Sequence, residues 1–280
     1  MKISRIDCFP LKITTPQAYL GGEVKASDSD YYYRPEYRCV YSRKMETCLV
    51  KITTDSGHVG WGEALAPVVP QVIAEIITQL FAPLLTGQSP FASQVLNARM
   101  YDAMRDRGHI TGYHIDALAA VDIALWDLKG QILNQPVYQL LGGAFRDQIP
   151  CYVSGLPEPD LPARCALALR WQQKGFNAIK LALGYGVQQD IENVRAIRDA
   201  LGPQPSLFLD AHWNYSVAQA AELANALHPL GVGFLEAPLL PEDIAGHREL
   251  RAKSPLPIAL GETERTRYQF RPFIEQRAMD

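Results

Sequence analysis

Apolar and polar positions follow two rhythms along the chain. Over residues 1–65 they read as strands, and Cys48–Ile52 and Val59–Trp61 flank Asp55-Ser56-Gly57, a pattern that predicts a β-hairpin. Residues 22–40 break the pattern. They are polar and tyrosine-rich, with Gly21-Gly22 in front and Tyr31, Tyr32, Tyr33 and Tyr37 inside, and are expected to form a mobile loop. From 70 to about 130 the apolar period turns helical. Ser89-Pro90 punctuates that stretch, and Gly142-Gly143 closes its last helical segment.

A different rhythm begins near residue 150. Short aliphatic or β-branched runs alternate with helical segments: Cys151–Ser154, Ala178–Leu183, Leu207–Asp210, Phe234–Glu236 and Ile258–Gly261. Centred on Tyr152, Lys180, Phe208, Leu235 and Ala259, the runs lie 28, 28, 27 and 24 residues apart. That is the length of a β/α unit, and its repetition predicts a parallel sheet. No GxGxxG follows any run, so a dinucleotide-binding sheet loses its main support and a β/α barrel is the expected architecture. A closed barrel has eight such units; five are readable here.

Composition narrows the function classes. The 280 residues allow one large domain or two ordinary ones. Hydrophobic residues at 48% and charged residues at 20% fit a globular protein and exclude a disordered chain. Net charge is −3 and no Lys/Arg run is present, so no nucleic-acid partner is expected. No stretch approaches the ~18 apolar residues of a membrane helix, and the first residues lack a signal-peptide h-region. The five cysteines form no CxxC or Cys/His cluster. A cytoplasmic protein with free thiols is the simplest expectation, and a zinc site is not expected.

The chemistry lies at the strand ends. Asp210 ends the third run, Glu236 the fourth, and Glu262 follows the fifth, at intervals of 26 and 26 residues. One acid at a strand end commonly caps the next helix. Three at one β/α spacing fall on the edge where a β/α barrel carries its active site. Converging carboxylates repel one another unless a cation joins them, and an all-oxygen donor set suits Mg²⁺. Lys180 sits among aliphatics in Ala178–Leu183, a costly place unless the lysine is paired or its head snorkels to an edge. Side chains alternate along a strand, so His212 is expected to share the face of Asp210; the bland alternative is a loop histidine.

With these residues in view, the chain resembles the enolase superfamily in its mandelate racemase/muconate lactonising branch. Residues Asp116–Gly143, DALAAVDIALWDLKGQILNQPVYQLLGG, match that family's signature at the start of the barrel domain. Gly60-Trp61-Gly62-Glu63 resembles the hairpin of its capping domain. The resemblance implies an α/β fold: an incomplete (β/α)₈-type barrel over residues 128–280 behind an α+β capping domain over 1–127. It implies one Mg²⁺ held by Asp210, Glu236 and Glu262. It also implies that related chains continue through three more strands, so that this one is C-terminally truncated. Family members are often homo-oligomers, an analogy that leaves the assembly of this chain open.

Two departures shape the functional expectation. Many members carry Lys-x-Lys on the second strand, where this chain has Lys180-Leu181-Ala182. Many carry Asp-x-Asn on the third, where it has Asp210-Ala211-His212. A histidine at that place is similar to the mannonate and galactonate dehydratases, where it is a base. The expectation is dehydration of a sugar acid to a 2-keto-3-deoxy acid, with His212 taking the α-proton and Lys180 neutralising the substrate carboxylate. Racemisation or epimerisation, lactone cycloisomerisation, and a truncated inactive chain are the alternatives. The loop at 22–40 is expected to close over substrate. Arg34 and Arg38 are read as solvated, with a distal substrate carboxylate as the alternative. His58, His228 and His247 are read as solvated, and His109 and His114 as packed.

Overall fold

The structure is a computed structural model that describes residues 1–15 and 29–280. Gly21-Gly22 and residues 22–28 of the expected loop lie outside the described residues. The described chain forms two compact units, one of residues 1–15, 29–33 and 40–148, the other of 34–39 and 149–280. Apart from 34–39, the contact division falls at 148/149. A single helix, Tyr113–Leu133, spans residues 127 and 128 and packs on the strands of the first unit.

In the first unit β1 (Ile3–Ile13), β4 (Met45–Thr54) and β5 (Val59–Ala64) form an antiparallel sheet in the order β1-β4-β5. Two shorter strands lie between β1 and β4 in sequence, β2 (Tyr31–Arg34) and β3 (Cys39–Ser42). They pair as a hairpin where a loop was expected. Tyrosines and Val40 are good strand formers on either side of a turn, which explains the difference. The base of this hairpin is anchored by Tyr31, whose hydroxyl donates to Glu46 at 3.0 Å and accepts from Lys12 at 2.8 Å.

The helical segments are α1 (Pro70–Glu75), α2 (Ala82–Leu85), α3 (Ser93–Asp102), α4 (Tyr113–Leu133) and α5 (Val137–Leu140). Alternation along β4 buries Cys48, Val50 and Ile52 completely. α4 packs closely against β5 because of two glycines. A Cβ on Gly62 would stand 2.0 Å from the Ala120 carbonyl oxygen, and one on Gly60 2.3 Å from that of Ala124. Between them the Trp61 amide donates to Asp127 of α4 at 2.7 Å. The Gly-Trp-Gly motif is therefore the means by which sheet and helix backbones meet.

The second unit holds a five-stranded parallel sheet in sequence order: β6 (Val153–Ser154), β7 (Ala178–Ala182), β8 (Ser206–Asp210), β9 (Val232–Glu236) and β10 (Ile258–Ala259). Helices α6 (Leu161–Gln173), α7 (Val187–Leu201), α8 (Val217–Leu227), α9 (Ile244–Lys253) and α10 (Arg267–Glu275) alternate with the strands. Side-chain oxygens of Asp160, Ser216, Asp243 and Thr266 cap α6, α8, α9 and α10. Ile179, Leu181, Leu207, Leu209, Leu235 and Ile258 are buried in one core cluster with helix residues such as Val194, Ile197, Leu223 and Leu250. The opposite face carries Lys180, Phe208, Phe234 and Glu236, all half-buried, with the two phenylalanine rings stacked at 4.3 Å.

Gly62→Ala tests the close approach of β5 to α4. Because the clash is with backbone, the variant should lose about 1–3 kcal/mol of stability in urea unfolding; unchanged stability would show that the two elements can move apart freely.

Candidate metal centre

Register brings the acids together. Ala182 pairs with Asp210, and Asp210 with Glu236. The ladder runs on past the strand ends, with Leu183 N–H donating to Asp210 O at 2.9 Å and Ala211 N–H to Glu236 O at 2.9 Å. Glu236 pairs with Ala259, so Glu262 lies three residues beyond its register position. Equal sequence spacing therefore did not mean equal register. Gly261, at φ 130°, lies in the turn between β10 and Glu262, in backbone that a side chain rarely adopts. One oxygen from each of Asp210, Glu236 and Glu262 lies within 4.8 Å of the others.

Lys180 supplies the positive charge in this cluster. Its Nζ donates to Glu236 Oε2 at 2.9 Å and to Asp210 Oδ2 at 3.3 Å. Burial would depress this ammonium, but the Glu236 hydrogen bond and the charges of Asp210 and Glu236 outweigh it and hold the lysine above its ordinary range. Glu262 is the outermost of the three acids. Desolvation of its carboxyl group, with the charges of Asp210 and Glu236, pushes it above the usual carboxylate range. One lysine does not neutralise three acids, and the donor set is all oxygen. The residues fit a small hard divalent cation.

His212 stands beside this cluster. It is left-handed at φ 49°, as are Trp213 at 58° and Ala237 at 44°, a concentration of unfavourable backbone at the strand ends. Hydrogen bonds hold these turns: Trp213 N–H to Ala237 O at 2.7 Å and Tyr215 N–H to Pro238 O at 3.0 Å. The His212 amide donates to Asp210 Oδ1 at 3.2 Å. Its Nδ1 lies 3.4 Å from the same oxygen, buried and without a hydrogen-bond partner.

Several residues that sequence reasoning missed support His212. The Tyr37 ring, 3% exposed, lies 4.5 Å from the imidazole, and its hydroxyl shares a 2.8 Å hydrogen bond with Tyr185. The Asn214 amide donates to Glu36 O at 2.9 Å. Arg34 and Arg38 were expected to be solvated. Arg34 is half-buried, its guanidinium 4.8 Å over the Tyr37 ring, whereas Arg38 is exposed as expected and donates to the Trp213 carbonyl and to Asn214 Oδ1. Asp190 is fully buried and accepts from the amides of Gly184 and Tyr185 and from the Tyr215 hydroxyl at 2.5 Å. Burial pushes its pKa up, while those donors pull it back. Its one sequence signal was an acid in the first turn of a helix after Gly184-Tyr185-Gly186.

The remaining histidines divide. His228 is exposed and His58 half-buried. His114 is packed, bonded to Met100 O at 3.0 Å, whereas His109 is exposed. His247 was expected to be solvated and is 1% exposed, because it lies on the inward face of α9 beside Gly246 and Leu250.

Comparison with known proteins shows what the chain is similar to. Residues 33–142 match the family "Mandelate racemase / muconate lactonizing enzyme, N-terminal domain", and residues 163–280 match "Enolase C-terminal domain-like". The chain is 35% identical over 237 residues to a D-galactarolactone cycloisomerase of Agrobacterium fabrum, covering 83% of this chain and 61% of that protein. It is 37% identical over 232 residues to a D-galactonate dehydratase of Verminephrobacter eiseniae, covering 79% and 59%. The chain thus spans about 60% of the length of these relatives. Among solved structures, a putative isomerase from Sinorhizobium meliloti superposes with a TM-score of 0.95 at 37% identity, covering 100% of this chain and 73% of that one. A racemase from Streptomyces coelicolor A3(2) with bound magnesium superposes at 0.85 and 26% identity, covering 99% and 74%. Among the described residues no helix is long and apolar enough to cross a membrane.

Lys180→Met should test the charge balance. Removing one partner of a largely buried ion cluster is expected to cost the metal-free protein on the order of 3 kcal/mol. Added Mg²⁺ should recover more stability in the variant than in the wild type, read as the shift in Tm. Equal shifts would mean that Lys180 and the cation do not answer the same charge.

Proposed function

The chain belongs to the mandelate racemase/muconate lactonizing enzyme family of the enolase superfamily, and from that premise we propose that it removes a proton adjacent to a carboxylate with the help of one Mg²⁺. Asp210, Glu236 and Glu262 would hold the ion. The favoured reaction is dehydration of a sugar acid to a 2-keto-3-deoxy acid. The observation that carries this reading is the meeting of three carboxylates, Lys180 and His212 at one sheet edge.

A proton next to a carboxylate is weakly acidic, so the negative charge that forms on its removal must be stabilised. The bound ion would supply Lewis acidity toward the substrate carboxylate oxygens. Lys180 adds a fixed positive charge to the same side. His212 is the base, because its imidazole offers a ring-nitrogen lone pair that can accept the proton. Its Nδ1 is buried against Asp210. That leaves Nε2 to take the α-proton. The Tyr37 and Tyr185 pair and the Asn214–Glu36 bond hold the ring in place. Loss of the 3-hydroxyl, together with the abstracted proton, releases one water. The enol that remains becomes the 2-keto group.

A second reading is favoured by one finding, the 35% identity to a D-galactarolactone cycloisomerase. Ring opening of a lactone begins with the same proton removal. It yields an isomer of the substrate and no water.

The purified protein is expected to form 2-keto acid from at least one member of a sugar-acid panel with Mg²⁺. His212→Asn should lower that rate by about 10²-fold or more while Mg²⁺ still binds. A 2-keto acid formed from a lactone, of the same composition as that lactone and with no water released, would favour the second reading. Undiminished turnover by His212→Asn would remove the base assignment.

A further inference from the structure

A second buried imidazole lies beside the acidic cluster and has no part in the chemistry above. His247 Nδ1 is 2.9 Å from the Asp243 carbonyl oxygen. A carbonyl can only accept, so Nδ1 carries the ring proton and Nε2 bears a lone pair. Nε2 is buried and has no hydrogen-bond partner in the protein. Buried acceptors of this kind are ordinarily matched, so a donor belongs there.

The surroundings limit what that donor is. The Phe273 ring, 6.2 Å from the imidazole, offers none. His247 lines a cavity with Trp213, Glu236, Glu262, Thr263 and Glu264, and the Trp213 indole N–H makes no hydrogen bond to Nε2. The three carboxylates accept. The Thr263 hydroxyl, which has one proton, is bonded to Glu264 at 3.0 Å. The cavity gives a water centre about 10 Å³, the room of one molecule. A water there donates to two acceptors at once, which is what an imidazole lone pair beside carboxylates requires.

We infer that His247 is a positioning residue for the third metal carboxylate: through one buried water it ties α9 to the Gly261–Glu264 turn that carries Glu262. The water gives one proton to Nε2 and the other to a carboxylate of the turn. The link supplies a fixed support to a ligand that lies beyond the end of β10 and so lacks the ladder that fixes Asp210 and Glu236. This inference rests on the metal-site reading of Asp210, Glu236 and Glu262.

Two substitutions separate the two ring nitrogens. His247→Asn keeps a donor near the Nδ1 position and loses the acceptor at Nε2. His247→Gln keeps an acceptor near Nε2 and loses the Nδ1 donor. Calorimetric titration of Mg²⁺ into the purified chain should show affinity weakened about ten-fold in His247→Asn and near the wild-type value in His247→Gln. Thermal unfolding in EDTA should rank the two variants differently from the Mg²⁺ titration. A His247→Asn protein with wild-type affinity, a His247→Gln protein as weak as His247→Asn, or affinities that simply follow metal-free Tm would each overturn the positioning role. Absence of Mg²⁺ binding by the wild type would instead overturn the metal-site reading on which it stands.

Discussion

Mutual repulsion among Asp210, Glu236 and Glu262 is the constraint to which the rest of the second unit answers. Two unit charges at the 4.8 Å limit of their separation repel by roughly 3 kcal/mol at an effective dielectric constant of ~20. Lys180 relieves two of the acids directly and touches the third only through the field. The chain accepts this cost at the open edge of a sheet whose other face is fully apolar. A fold stabilised elsewhere by its core can hold such a cluster where a cation and a substrate would meet it.

The backbone around the cluster shows how the position is kept. Parallel pairing places Asp210 beside Glu236 without any special turn. Glu262 and His212 are different: each depends on left-handed backbone, at Gly261 and at His212 itself. Left-handed backbone outside glycine persists only where neighbours fix it. Here the neighbours are the Trp213 and Tyr215 amide bonds to the β9 loop, the Arg34–Cys39 segment against residues 212–214, and Asp190 beneath the Gly184–Gly186 turn.

Much of this was legible in the sequence because it is periodic. Runs of apolar residues one β/α unit apart located the five strands of the parallel sheet, and acids at the same spacing marked the three carboxylates that meet at its edge. Gly60-Trp61-Gly62 marked the hairpin, and the structure gives the reason in the carbonyls of Ala120 and Ala124. What the sequence hid depends on contacts between distant residues. Tyr37 meets Tyr185 across 148 positions, and Glu36 meets Asn214 across 178. No local pattern distinguishes the buried His247 from the exposed His228, since each lies near a helix end. The described part of the 22–40 segment looked like a loop because its residues are polar, although tyrosine and valine favour strands when paired.

The most direct measurement is a crystal structure of the protein grown with Mg²⁺. The account predicts one ion bonded to a carboxylate oxygen of each of Asp210, Glu236 and Glu262, at about 2.0–2.1 Å. An ion bound elsewhere, or carboxylates of these three residues turned away from a common centre at saturating Mg²⁺, would contradict it.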